Sequence, residues 1–366
     1  MLPQAHKGRG AVSRIAGRFE KTRVDLSDEE AHAREAQAPP TELRAMQAGR
    51  IISTNTSPDV PFDRSINPYQ GCEHGCIYCY ARPSHSYLDL SPGLDFESKI
   101  YYKPNAVERL LEAWGKPKYE CRPITIGANT DPYQPAEKKL RITRRLLEAF
   151  LEHRHPVTVI SKGALMSRDL DLLEVLAAKN LCSVAISVPT VDRPLKRLLE
   201  PRVPSAEVRF SLIEELTSAG VSTSLLMAPI IPAINDREIE TIVAEAASRG
   251  VSHAAYIFLR LPHEVRNIFV EWLETHMPDR AEHVMSLVRQ ASGGRDYDNR
   301  FGIRQRGRGP YAEMISKRFK AACRKHGLGA GRYQEKLDCS QFRRPGQKQM
   351  TLGLQSPGRL PVAGPG

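Results

Sequence analysis

A strand-like run followed by a helix-like run recurs six times between residues 63 and 258 of this 366-residue chain. The strand-like runs are short and apolar, whereas the helix-like runs place apolar residues three and four positions apart. Strands joined by crossover helices pair in parallel and are covered on both faces. The pattern predicts an α/β fold, either a partial TIM-type (β/α)6 barrel or a doubly wound open sheet. The predicted strands are residues 63–67, 122–127, 157–161, 183–188, 222–227 and 253–258.

Three of the seven cysteines lie within eight residues, just after the first predicted strand. Cys72, Cys76 and Cys79 have the spacing C-x3-C-x2-C, and no fourth cysteine is near them in sequence. Closed iron–sulfur and structural zinc sites usually take four protein ligands. Gly71 and Gly75 accept the backbone angles that an irregular ligand loop needs. The run therefore predicts a metal site with one open coordination position.

Two other interpretations of the cysteines remain open. His74 could complete a zinc site, although its place between two of the cysteines makes a shared metal awkward. The three cysteines could also be unconnected buried side chains, which is the default for cysteines scattered along a chain. The scattered ones are Cys121, Cys182, Cys323 and Cys339.

The cysteine run resembles the signature of the radical SAM superfamily, and other stretches resemble its spore photoproduct lyase-like branch, often labelled DNA repair photolyase-like. The resemblance implies an enzyme with the (β/α)6 barrel. It implies that Cys72, Cys76 and Cys79 hold a [4Fe-4S] cluster whose fourth iron binds S-adenosylmethionine (SAM). An electron from a reductant such as flavodoxin or ferredoxin then yields a 5′-deoxyadenosyl radical, which abstracts hydrogen from a substrate. The matching stretches are residues 67–72, 79–82, 130–134, 168–172 and 200–202.

Polar residues follow several predicted strands, at the end where parallel barrels keep their functional groups. The resemblance implies that the segment after the second strand binds the SAM amino group and that Tyr78 meets the adenine. Lys162 matches a lysine that contacts SAM in spore photoproduct lyase, and Ser187 is the corresponding hydroxyl one strand later. The alternative is an ordinary turn and a surface lysine. The segment after the second strand contributes Asn129, Thr130 and Asp131.

One departure from the spore photoproduct lyase pattern limits the resemblance. The lyase has a hydrogen-donor cysteine just before the segment that matches Thr130 and Asp131, where this chain has Ala128 and Asn129. Cys121 precedes the second strand, at the wrong end of a barrel strand. We therefore expect hydrogen abstraction from an unidentified substrate rather than spore-type repair. Arg202, in the matching stretch 200–202, either holds a substrate anion or pairs with Glu200.

Positive charge is concentrated in the C-terminal fifth of the chain. Residues 289–366 hold 17 Lys and Arg against 5 Asp and Glu, whereas residues 1–288 hold 36 against 37. Such asymmetry favours a polyanionic partner, with nucleic acid as the candidate, or else a solvated tail without a partner. It also motivates an alternative function: a nucleic-acid-binding protein with a structural or redox-sensing cluster.

Composition divides the chain into four predicted regions. These are a flexible, partly disordered N-terminal arm (1–50), the core barrel (51–285), a basic C-terminal extension (286–339) and a disordered tail (340–366). No apolar run approaches the ~20 residues of a membrane span. The N-terminus lacks the apolar segment of a signal peptide, and the cysteine usage fits a reducing compartment. We expect a cytoplasmic protein without a membrane partner.

Overall fold

A computed structural model describes residues 6–19, 39–331 and 336–346 of the chain. The strands in these ranges are β1 (Glu42–Ala45), β2 (Ile52–Thr54), β3 (Arg64–Ile66), β4 (Tyr69–Gln70), β5 (Lys99–Tyr102), β6 (Ile124–Ile126), β7 (Val157–Ser161), β8 (Cys182–Ser187), β9 (Ser222–Ile230), β10 (His253–Phe258) and β11 (Gly329–Ala330).

The α-helices lie between the strands singly or in groups of two or three. They are α1 (Leu94–Ser98), α2 (Ala106–Gly115), α3 (Glu137–Leu140), α4 (Ile142–Glu152), α5 (Leu170–Ala177), α6 (Arg193–Leu199), α7 (Ala206–Ser218), α8 (Ile239–Ser248), α9 (Val265–His276), α10 (Pro278–Ala291) and α11 (Gly309–Lys325). Short 3-10 helices cover Arg82–Leu88, Ala164–Asp169 and Asp236–Glu238.

The main sheet confirms the partial barrel and rules out the doubly wound alternative. Its strand order is β11-β10-β9-β8-β7-β6-β3-β2, and β3 and β6 to β10 are parallel neighbours in chain order. A doubly wound sheet reverses direction at a switch point, and this order contains no reversal. At one edge β2 runs antiparallel to β3, and at the other β11 pairs in parallel with β10.

Alternating burial along the strands separates the barrel interior from the helical layer. On β7, Val157 and Val159 are fully buried, whereas Thr158 and Ile160 are half-buried and line a cavity of about 170 Å³ inside the barrel. The larger apolar core includes Trp114 of α2, and a second core surrounds Trp272 of α9.

The predicted region boundaries do not mark breaks in the fold. The boundary between residues 285 and 286 falls inside α10, and α11 packs on α8 and α10. Residues 340–346, predicted to be a disordered tail, include Phe342, whose ring packs against Trp114 and His155. Within the predicted arm, Arg9 and Ala11 are buried. The remainder of the arm (1–5 and 20–38) and of the tail (347–366) lies outside the described residues.

Among the residues that the model describes, no helix is both long enough and apolar enough to cross a bilayer.

Candidate metal and cofactor site

The three clustered cysteines lie on one irregular loop between β4 and the 3-10 helix Arg82–Leu88. Cys72 and Cys76 are buried and Cys79 is half-buried. Gly71 and Gly75 have φ angles of 85° and 65°, which lie in the left-handed region that residues with a side chain rarely adopt. A Cβ at Gly75 would also lie 2.8 Å from Oε2 of Glu97. The turns of this loop therefore depend on glycine.

Burial favours the neutral thiol at each of the three cysteines. Burial raises the pKa of all three thiols, and Asp131, Cys76 and Cys79 raise the pKa of Cys72 further. The thiols are thus close enough to act on one another. Thiolate ligands require a metal or another cation to offset this cost.

The donor set fits a cluster better than a single ion. In the described part of the chain, no three His, Cys, Asp or Glu side chains surround one point as ligands of a single ion would. The cysteines of an iron–sulfur cluster each bind a different iron, so their sulfur atoms stand further apart. His74 lies 3.3 Å from Asp131, measured from Nδ1 to Oδ2, and is not placed as a fourth zinc ligand.

Buried amides hold the cysteine loop against the end of β6. The side chain of Gln134 donates to the carbonyl of Gly71 at 3.2 Å and accepts from the amide of Glu73 at 3.0 Å. Oδ1 of Asn67 accepts from the amide of Asn129 at 2.8 Å. The loop and the segment after β6 are therefore one hydrogen-bonded unit.

A buried ion pair supports the same loop from the opposite side. Arg82 donates to the carbonyl of Cys76 from Nε at 3.0 Å and from Nη2 at 2.9 Å. The same guanidinium pairs with Glu97, and both side chains are fully buried. Because charge-assisted bonds are strong in a low-dielectric interior, this pair fixes the backbone at Cys76.

Asp131 faces the cysteine loop, but protein groups already occupy its oxygens. It accepts from the hydroxyl of Ser161 and the amide of Lys162, both at 2.7 Å. Burial alone would raise the pKa of Asp131, but the charge of His74 and these hydrogen bonds lower it to about 2. Thr130 is buried and donates to the carbonyl of Tyr69, whereas Asn129 is exposed.

Tyr78 and Lys162 lie close to each other beside the cysteine loop. Nζ of Lys162 lies 6.0 Å from the centre of the Tyr78 ring. The Tyr78 hydroxyl donates to Glu200, which pairs with Arg209 at 2.8 Å. Burial raises the pKa of Glu200, but Arg209 and Lys162 outweigh it and the net shift is downward.

Ser187 and Arg202, which the sequence also singled out, make other contacts. Ser187 is buried at the end of β8, where its hydroxyl donates to the carbonyl of Ala228 at 3.2 Å. Arg202 does not pair with Glu200, because Arg209 occupies that carboxylate. It lies 3.3 Å from Glu73 instead.

An arginine and aromatic rim lies at the mouth of the barrel, beside the third cysteine. The guanidinium of Arg260, after β10, lies 4.8 Å from the Tyr80 ring centre and 3.3 Å from the Tyr297 hydroxyl. Arg304 lies 4.6 Å from the ring centre of Phe301, which is 58% exposed. We call these five residues the rim.

Sequence reasoning missed Glu97, Arg209 and the rim, and it quoted Arg82 and Gln134 without a role. A signal existed for Arg82 and Gln134, because both lie in the matching stretches 79–82 and 130–134. Glu97 and Arg209 lie on helices, and a charged residue is rarely buried, so the sequence gives no signal for the burial of either side chain.

Comparison with known proteins gives a consistent result. The model of the Radical SAM superfamily matches residues 66–246. An uncharacterized protein of Mycobacterium tuberculosis is 31% identical over 233 residues, which are 63% of this chain and 68% of that protein. The radical SAM Nalpha-GlyT isomerase of Pseudomonas phage M6 is 25% identical over 231 residues, 62% of this chain and 46% of that protein.

Among solved structures, a spore photoproduct lyase mutant with bound AdoMet and dinucleoside spore photoproduct has a TM-score of 0.61. The match covers 86% of this chain and 88% of that one at 15% identity. At this identity the likeness shows the fold: both chains form the partial barrel.

Proposed function

This chain belongs to the radical SAM superfamily, and from that premise we propose that Cys72, Cys76 and Cys79 hold a [4Fe-4S] cluster that binds and reductively cleaves SAM. When bound and reduced, the cluster would supply one electron to SAM, whose carbon–sulfur bond would break to give methionine and a 5′-deoxyadenosyl radical for hydrogen abstraction. The observation that carries the proposal is the loop itself: Cys72, Cys76 and Cys79 are free cysteines on one loop, within the span that the family model matches.

The protein side chains around the loop have separate tasks in this proposal. Glu97 and Arg82 position the backbone at Cys76, and Gln134 does the same beside Cys72. Lys162 provides a cation for the SAM carboxylate or a ribose oxygen. Tyr78, whose hydroxyl is held by Glu200, forms a wall of the adenine site.

Asp131 orients the segment that carries Thr130 and Asn129 toward SAM. Its oxygens already accept hydrogen bonds from Ser161 and Lys162, so we assign it a positioning role. Ser187, buried beside Ala228, completes the wall at the end of β8.

Anaerobic reconstitution and SAM cleavage test the proposal. The wild-type protein should bind about four irons per chain, and dithionite with SAM should release 5′-deoxyadenosine. Cys76→Ala should lose both. Cys182→Ala, at the start of β8, is a matched control that should retain both. Retention of 5′-deoxyadenosine release by Cys76→Ala would refute the assignment.

The rim favours nucleic acid as the substrate class. Exposed aromatic rings interleaved with guanidinium groups suit the stacking of bases and the binding of phosphates. Tyr80 follows Cys79 directly, so a base on this ring would lie beside the proposed cluster. Residues 289–366, with 17 Lys and Arg against 5 Asp and Glu, add the long-range attraction.

Single-stranded oligonucleotide binding, followed by fluorescence anisotropy at several salt concentrations, tests this substrate class. Phe301→Ala should lose the stacking of one base, about 1–3 kcal/mol. Arg260→Ala should weaken binding and flatten the salt dependence by about 0.7 in log–log slope. Tyr87→Ala, a 71% exposed aromatic outside the rim, is the control. Binding that is insensitive to salt and to both rim variants would exclude this class.

The same experiments address the second candidate, a nucleic-acid-binding protein with a structural or redox-sensing cluster. That function predicts rim-dependent binding without any release of 5′-deoxyadenosine. A reductant such as flavodoxin or ferredoxin and a cytoplasmic location belong to the leading proposal, because the cluster needs a low-potential electron and protection from oxygen.

A further inference from the structure

The N-terminal segment from residue 6 to residue 18, which we call the strap, runs against the cysteine loop. His6, Arg9, Ala11 and Val12 are each 6% exposed or less. Ala11 packs in the same apolar core as Cys76 and Ile77. Composition alone predicts a flexible, partly disordered arm at these residues. Their burial therefore depends on specific contacts with the rest of the protein.

The strap touches the cysteine loop directly at Gly10. A Cβ built on Gly10 would lie 1.9 Å from the carbonyl oxygen of Gly75, the residue before Cys76. Real Cβ atoms do not approach a backbone oxygen so closely, which means that only glycine fits here. The φ angle of Gly10 is not in the left-handed region. Its requirement for glycine therefore arises from contact with the loop and not from its own backbone.

Glu97 joins the strap to the loop through hydrogen bonds. Its two carboxylate oxygens accept from the amides of Gly10 and Ala11, both at 2.9 Å. Nη1 of Arg9 donates to the carbonyl of Glu97 at 2.6 Å. The same carboxylate pairs with Arg82, which donates to the carbonyl of Cys76. Strap amides, Glu97, Arg82 and Cys76 thus form one continuous buried network.

The distal part of the strap is anchored on the same side of the barrel. The Ser13 hydroxyl donates to Glu271 of α9 at 2.8 Å, and Arg18 pairs with Glu264 at 2.7 Å. The carbonyl of Ile15 accepts from the Ser91 hydroxyl at 2.8 Å. These contacts hold the strap at several points along its length.

We infer that the strap is part of the cluster site: it positions the Gly75–Cys76 backbone through Glu97 and Arg82 and keeps solvent from the cluster at Cys76. This inference rests on the proposed function, because it requires a cluster on the cysteine loop. Groups that orient a metal ligand, and the shell that limits solvent access, govern how tightly a metal centre is held. Glu97 and Gly10 are positioning residues, since they act through Arg82 and Gly75.

The test is Gly10→Ala in the full chain, with Gly49→Ala as a matched control. A Cβ at Gly49 would meet no atom within 4 Å, so this control makes the same chemical change without a contact. Iron release from the reconstituted proteins to a chelator is followed under argon and under air. We expect release from Gly10→Ala to be about ten-fold faster than from wild type, and release from Gly49→Ala to be unchanged. Equal rates for Gly10→Ala and wild type would overturn the inference.

A second measurement covers the case in which Gly10→Ala does not fold. Hydrogen–deuterium exchange of the cluster-loaded wild type should show protected amides at Gly10 and Ala11, because both donate to Glu97. Exchange as fast as that of an unstructured peptide would refute the strap. The two failures are distinguishable: a wild type that binds no iron refutes the proposed function, whereas a wild type that binds iron with an unaffected Gly10→Ala variant refutes the strap alone.

Discussion

At the scale of single residues, the site depends on charges that are buried and satisfied. Arg82, Glu97, Glu200 and Arg209 are each fully buried and each is in an ion pair. Pairs of this kind add little net stability compared with apolar packing, but they fix geometry, and removing one partner leaves an uncompensated charge. The residues beside the cysteines are therefore sensitive to substitutions that preserve their shape.

Glu200→Gln makes such a change. Tyr78 and Arg209 donate to different oxygens of Glu200, and an amide keeps only one of these acceptors, so one bond is lost and the positive charge of Arg209 lacks its partner. We expect the free energy of unfolding, measured by urea denaturation, to fall by about 3 kcal/mol or more. Glu207→Gln, in an exposed pair with Arg193, should cost less than about 1 kcal/mol. Equal costs for the two variants would contradict this interpretation of the buried pair.

His155 gives the protein a specific dependence on pH. Its Nε2 accepts from the Tyr119 hydroxyl and its Nδ1 donates to the carbonyl of Pro156, so the neutral ring satisfies both nitrogens. Burial lowers the pKa of His155 from 6.5 to about 3. Below about pH 6.5 the unfolded chain therefore binds a proton at His155 that the folded chain does not bind.

Because of this difference in pKa, the contribution of His155 to the free energy of unfolding is fully present above pH 6.5. It is lost as the pH falls toward 3. Each pH unit below 6.5 should lower the free energy of unfolding by up to about 1.4 kcal/mol through this group. In His155→Phe, urea denaturation between pH 7 and pH 5.5 should show a shallower dependence than wild type. His326→Gln, at an exposed position after α11, should keep the wild-type slope. An unchanged slope in His155→Phe would show that another group is responsible.

At the scale of helices and strands, the sequence predicts the repeating units well. The strands predicted over 157–161 and 253–258 have these bounds in the structure, and the strand predicted over 183–188 is observed as Cys182–Ser187. These elements have apolar patterns of regular period, which local sequence expresses directly. The polar segment after β6 and Lys162 after β7 lie beside the cysteine loop, and their contact with SAM stays a prediction.

Segments without a period could not be predicted. The strap has neither helical nor strand spacing, and Ser13 meets its partner Glu271 across 258 residues. Residues 340–346 are similar: the amide of Arg343 donates to the carbonyl of His153 at 2.8 Å. Long-range contacts of irregular segments leave no local signal, so composition alone suggested disorder for both.

Phe342→Ala tests whether the C-terminal segment contributes to stability. The Phe342 ring lies 5.8 Å from Trp114 and 5.6 Å from Tyr119, measured between ring centres. Its removal opens this aromatic cluster to water and should lower the free energy of unfolding by about 2 kcal/mol. A change below about 0.5 kcal/mol, as is typical of surface positions, would mean that the segment is not held in solution.

At the scale of the whole molecule, the described chain forms one unit around the barrel. α10 crosses the boundary predicted at residue 285, and α11 covers β10 through the contact of Phe319 with Tyr256, whose ring centres are 4.9 Å apart. The basic C-terminal region is thus part of the barrel wall. Of its described residues, Arg304 lies in the rim, 4.6 Å from the ring centre of Phe301.

The two tryptophans of the chain allow this unity to be measured, because Trp114 reports on the larger core and Trp272 on the second. In Trp272→Phe and in Trp114→Phe, the remaining fluorescence and the far-ultraviolet circular dichroism should give the same urea midpoint within each variant. Separate transitions for the two signals would reveal two folding units.

The strap is synthesised long before some of the residues that anchor it. Residues 6–18 leave the ribosome before the cysteine loop and Glu97. Glu264 and Glu271, which anchor the distal part of the strap, are synthesised only much later. A nascent chain therefore presents Cys72, Cys76 and Cys79 before their cover can be fastened. Under the proposed function, the three thiols are accessible to a donor of the cluster before Glu264 and Glu271 can anchor the strap.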